Sequence, residues 1–121
     1  MNERDVFLVL DQLVKASQLA MSFIEGLSES DFMEDLRTQQ AVAMNLLIIG
    51  EAAARLARDH ADFLERHPEL LWRSMMGMRN RIAHGYFDLD LRVIWRTAQS
   101  DLPDLLTRLN EIYKQAGETP L

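Results

Sequence analysis

From Val42 to Leu56 apolar side chains recur at alternating spacings of four and three: Val42, Leu46, Ile49, Ala53 and Leu56. This pattern fits one face of an α-helix and no β-strand, whose side chains return to the same face every second residue. Met44, Leu47 and Ile48 add a second apolar side to the same helix. A helix apolar on two sides has to be covered from two directions, in the centre of a bundle or at a subunit contact. Gly50 lies inside it and weakens it by about 1 kcal/mol relative to alanine. Close approach of another helix at that point would offset the loss.

The rest of the chain follows the same rule. Val6, Leu10, Leu13, Val14, Ser17, Met21 and Ile24 form one face of a first helix, with Asn2 as its N-cap and Gly26 at its end. Ser28, Glu29 and Ser30 make a polar connection, and the second helix is predicted from about Asp31 to about Asp59, its first turn perhaps irregular. Residues 60–67 read as a connector. Pro68 fits the first turn of a third helix running to about His84, and Gly85 fits its terminator. Asp90 caps a fourth helix carrying Leu91, Ile94, Trp95 and Ala98. Pro103 opens a fifth, whose Leu105, Leu106, Leu109, Ile112 and Tyr113 face the core and which ends at Gly117. The expectation is a single all-α domain over residues 1–121, an antiparallel bundle of about five helices.

Composition narrows the function. With 121 residues and no cysteine, the chain can bury one core but has neither disulfides nor thiolate metal sites. The opening MNERDVF lacks the apolar run of a signal peptide. The apolar stretch from Ala41 to Ile49 is interrupted by Asn45 and falls short of the roughly 18 residues a membrane span needs. A soluble, cytoplasmic protein without a membrane partner is expected. The net charge of −6 argues against a general nucleic-acid coat. Residues 71–100, however, hold five arginines against two aspartates, a local +3 that leaves −9 elsewhere. A basic segment in an acidic chain suits a focused anion site or a surface for an acidic partner.

The chemistry concentrates in Met78–Phe87, MRNRIAHGYF. Arg73, Gly77, Asn80 and His84 share one helix face, opposite an apolar stripe of Leu71, Met75, Met78 and Ile82. Asn80 and His84 are i,i+4 neighbours, so the amide could orient the imidazole. Arg79 and His84 lie about 140° apart on a straight helix. They converge only if the helix unwinds near Gly85, or if a two-fold axis brings in the same helix of a second copy. Histidine can give or take a proton near neutral pH, and arginine can fork onto phosphate oxygens. Together they make a minimal metal-independent apparatus for internal phosphoryl transfer in RNA. The plainer alternative is a pair of cations favoured by a helix C-terminus. No spacing suggests a metal site, and no cofactor is expected.

Other residues carry paired readings. Glu51 either orients Arg79 or His84 or forms an i,i+4 ion pair with Arg55. Tyr86 either exposes its hydroxyl or lids the core. Arg73 and Arg81 either meet RNA phosphates or are solvated. His60 and His67 read as surface residues.

The run Arg79-Asn80-Arg81-Ile82-Ala83-His84-Gly85-Tyr86 resembles the R-x4-H-x-Y signature of HepT-like toxins, which belong to the HEPN helical domains. Ile49-Gly50-Glu51-Ala52 and the run His67-Pro68-Glu69 followed by Trp72 are similar to two further blocks of that family. The resemblance implies a homodimer with the motifs near its two-fold axis and metal-independent cleavage of RNA. It implies that Arg79 and His84 are catalytic and that Asn80 matches the polar residue following the arginine. Tyr86 matches the tyrosine that an MntA-like nucleotidyltransferase antitoxin modifies with AMP. Added bulk and phosphate charge there would exclude RNA. A different class of function is also consistent with this fold, a non-catalytic helical dimer binding a nucleotide or a nucleotidyltransferase.

Overall fold

The computed structural model describes residues 3–118, all of whose regular elements are helical. The predicted cap at Asn2 lies outside the described residues. In chain order the helices are α1 (Glu3–Phe23), α2 (Glu29–Met33), α3 (Leu36–Asp59), α4 (Ala61–Arg66), α5 (Trp72–Gly85), α6 (Leu91–Arg96) and α7 (Leu102–Ala116). Helix α3 is central and packs against both α1 and α5, as its two apolar sides require. The fold is the expected all-α bundle.

The boundaries differ from the sequence reading in four places, each with a local cause. The second helix divides into α2 and α3. Ser28 and Asp31 form a reciprocal capping box on α2, and Asp35 caps α3 by accepting from the Thr38 amide at 3.1 Å. The buried Gln39 amide reaches back to the Phe32 and Met33 carbonyls at 2.9 and 3.1 Å, satisfying acceptors at the end of α2. Phe32 thereby turns fully into the core.

The connector after Asp59 contains α4, which buries Phe63. His60, at the joint between α3 and α4, is buried rather than on the surface, and His67 is half-buried against the Phe63 ring.

Pro68 opens a separate 3-10 turn, Pro68–Leu70, not the third long helix. Leu71 follows with φ 55° and ψ 47°, and its carbonyl then accepts from the Ser74 and Met75 amides to start α5. This left-handed residue turns the Leu71 side chain outward, 62% exposed, so it leaves the predicted apolar stripe. The Trp72 indole donates to the His67 carbonyl at 2.9 Å and ties the turn to the helix.

Finally, α6 and α7 are not separated by a cap. A π-helical segment, Thr97–Asp101, joins them, with the Leu102 amide bonding five residues back to the Thr97 carbonyl. The widened turn immediately precedes Pro103, which has no amide hydrogen to donate. Helix α7 reaches back to α1, where the buried Tyr113 hydroxyl donates to Asp11 at 2.6 Å and its ring meets Phe7 edge-on.

By length and composition alone α1 and α3 are apolar enough to cross a membrane, and half of each such window is buried within the bundle. Core helices of a bundle have this property.

Candidate active site on helix α5

The site is seated by a contact between backbones. Helix α5 crosses α3 at Gly50, where an added Cβ would overlap Arg79 Cβ and stand 2.7 Å from the Met75 carbonyl oxygen. No side chain fits there, so glycine permits the crossing that the sequence pattern required. Met75 and Arg79 are four residues apart and therefore share the face of α5 that lies on Gly50.

One consequence falls on the guanidinium. Arg79 Nη1 donates to Glu51 Oε1 at 2.8 Å, so the residue next to Gly50 takes hold of the arginine tip. Of the two readings of Glu51, the ion pair observed joins it to Arg79 rather than Arg55. The Arg79 side chain is 25% exposed and that of Glu51 58%. Arg79 Nε is buried without a hydrogen-bond partner. A charged donor shielded from water with no acceptor costs free energy, which an arriving anion would recover.

His84 stands in the last turn of α5, exposed. Arg73 and Asn80 are exposed on the same face, with Gly77 half-buried between them. No hydrogen bond joins Asn80 to His84 among the described residues. Helix α5 keeps its helical course through His84 and gives way only at Gly85, where φ is −155° and ψ 45°. Unwinding therefore does not swing His84 around to Arg79 within one chain. The angular separation of about 140° stands.

Tyr86 opens a 3-10 turn, Tyr86–Asp88. Its two readings are both partly realised. The ring is half-buried against the core, while the hydroxyl makes no hydrogen bond within the chain and is not sealed from solvent. The ring meets Phe87 edge-on, centroids 5.6 Å apart. Phe87, which sequence reasoning treated only as part of a loop, is 96% exposed. Nothing in its spacing signals this, because the 3-10 turn rather than a helical or strand period decides where the ring goes.

Arg81 lies on another side of α5, at the mouth of a cavity of about 270 Å³ floored by Leu46, Ile49, Met75 and Met78. Among the described residues no group of three or more His, Asp or Glu side chains gathers as a metal-ligand set.

Comparison with known proteins bears on what this arrangement serves. The sequence profile of the family described as "Ribonuclease HepT-like" matches residues 13–112. A "Probable ribonuclease HepT" from Thermococcus cleftensis is 37% identical over 105 residues, covering 87% of this chain and 93% of that protein. A protein named "Putative RNase" from Caldanaerobacter subterraneus subsp. tengcongensis is 30% identical over 106 residues, 88% of this chain and 92% of its own length. Another of that name from Methanocaldococcus jannaschii is 28% identical over 114 residues, 94% of this chain and 92% of its own. No solved structure gives a significant match.

Proposed function

The chain belongs to the HepT-like ribonuclease family, and from that premise we propose that it cleaves RNA without a metal, as the toxin of a toxin–antitoxin pair. The observation that carries this reading is the state of Arg79. Its guanidinium is positioned by Glu51 while its buried Nε lacks an acceptor, on the same helix as an exposed histidine.

In the proposed reaction the ribose 2′-oxygen attacks the adjacent phosphorus and the bond to the 5′-oxygen breaks. The products are a 2′,3′-cyclic phosphate and a 5′-hydroxyl. His84 takes the 2′-hydroxyl proton or supplies one to the leaving oxygen, roles open to an imidazole near neutral pH. Arg79 faces the charge that builds on the non-bridging oxygens. Arg73 lies on the His84 face and suits a flanking phosphate. Asn80 shares that face, as a group to orient the imidazole or the substrate.

The active form in this proposal is a homodimer. An intramolecular Arg79–His84 pair is disfavoured by their separation around α5, whereas two-fold symmetry can supply the missing partner from a second copy. The outer side of α3 offers a surface for that contact. Met44 is 57% exposed there, and Leu47 and Ile48 are half-buried close to Glu51. Tyr86 has the accessible hydroxyl that transfer of AMP by an MntA-like nucleotidyltransferase needs. The cytoplasm, where ATP and RNA are available, is the proposed compartment.

The decisive experiment is RNA cleavage in EDTA by the native protein and by His84→Ala. Cleavage by the native chain alone supports the reading. Equal cleavage by both removes His84 from the chemistry. A native chain that leaves RNA intact, yet binds a nucleotide or a nucleotidyltransferase, favours the non-catalytic dimer.

A further inference from the structure

We propose that Phe87 is a stacking platform for an unpaired nucleobase of the RNA, next to the bond that is cut. The inference rests on the ribonuclease reading and specifies the substrate as single-stranded at that point.

Phenylalanine is among the side chains most often buried. Phe87 is nonetheless 96% exposed, well beyond Leu71 at 62%, Leu36 at 61% and Met44 at 57%, the next most exposed large apolar residues described. The ring is not placed at random. It sits in the short turn Tyr86–Asp88, and the half-buried Tyr86 ring meets it edge-on. That contact restrains one edge of Phe87 and leaves its faces to solvent, the arrangement a stacking base requires.

Position argues for the same partner. Three residues separate Phe87 from His84, about 5–6 Å along a helical or 3-10 backbone. A base belonging to a nucleotide beside the scissile phosphate would lie within that reach. Charge distinguishes base from backbone. Asp88 follows Phe87 and is exposed, and the Asp90 carboxylate close by accepts from the Arg92 amide. Carboxylates repel phosphate, so this turn is poorly suited to the RNA backbone, whereas the face of a base carries no net charge. Phosphates would be held instead by Arg79 and Arg73 on α5. Bases inside a duplex are not free to stack on a side chain, so the contact selects loops, bulges and single strands.

The test uses the full chain with fluorescein-labelled single-stranded 12-mers of oligo(rA) and oligo(rU), each 2′-O-methylated so that it binds without being cut. Anisotropy should show binding weakened about tenfold or more by Phe87→Ala and by Phe87→Leu, and retained by Phe87→Trp. Leucine keeps apolar bulk and loses the π face, so a leucine variant that binds like the native chain overturns stacking. Unchanged binding by Phe87→Ala, with the native chain still cleaving unmodified RNA, overturns the platform and leaves the ribonuclease reading intact. A native chain that neither binds nor cleaves RNA overturns both. Sedimentation of Phe87→Ala should match that of the native protein. Loss of a dimer in that variant would assign the ring to a subunit contact and overturn the proposal.

Discussion

Arg79 Cβ lies where a side chain on Gly50 would have to be. The backbone crossing of α3 and α5 and the position of the candidate catalytic arginine are therefore one feature. Replacing Gly50 with alanine gains about 1 kcal/mol of helix propensity. It also forces α5 away from α3, at a typical overpacking cost of about 1–3 kcal/mol. Gly50→Ala is expected to be less stable in urea titration and to lose most RNA cleavage, because Arg79 moves with the helix. Native activity in that variant would mean that the site tolerates the displacement.

Glu51 holds Arg79 from a partly exposed position, so the pair contributes little to folding but much to orientation. Glu51→Gln is expected to change stability by less than about 1 kcal/mol, as exposed ion pairs do. Cleavage should nevertheless fall severalfold through the rate at saturating RNA. Equal stability and equal rate would leave the carboxylate without a role in positioning.

A site shared between subunits makes a sharper prediction. Arg79→Ala and His84→Ala homodimers should each be inactive. Mixed dimers formed by refolding the two together should regain activity, because one of their two sites combines an intact arginine with an intact histidine. If every site drew both residues from one chain, the mixture would stay inactive.

Tyr86 supplies a chemical test. Incubation with an MntA-like nucleotidyltransferase and ATP should add the mass of one or more AMP units to the native chain and none to Tyr86→Phe. The modified protein should lose RNA binding. Addition that persists in Tyr86→Phe would place the acceptor elsewhere.

The start of α3 has its own pH dependence. Hydrogen bonds from the Thr38 side chain and backbone hold the Asp35 carboxyl below its ordinary value of 3.8. A group whose folded value is depressed stabilises the fold above its unfolded value and loses that contribution as the pH falls through the folded one. Asp35→Ala should thus melt below the native protein at pH 7, and the gap should close as the pH drops under 3.8. A gap of constant size across that range would show that the ionised cap contributes nothing.

Much of this was legible in the sequence, for reasons that can be located. The two-sided apolar pattern of residues 42–56 called for a central helix, and Gly50 within it marked a helix crossing. The R-x4-H-x-Y spacing marked α5. What escaped depends on contacts that no local pattern encodes. Glu51 had two arginines within plausible reach, and only the crossing at Gly50 selects Arg79. Leu71 adopts a left-handed conformation that leucine seldom takes, so its exposure is invisible to a periodicity argument. The break at Glu34–Asp35 depends on Gln39 reaching back to carbonyls six and seven residues earlier. Pro103 reads as the opening of a helix when, in the structure, the chain passes through it from a widened turn.

That widened turn constrains how the chain can change length. Deleting one residue from 97–101 would allow ordinary helical hydrogen bonding there, but would rotate everything downstream by about 100°. Leu105, Leu109 and Ile112 would then face water, and Tyr113 would lose Asp11. Single-residue insertions and deletions should accordingly be absorbed by the connections around Gly26 and residues 87–90, while the rod from Leu91 to Ala116 keeps its residue count.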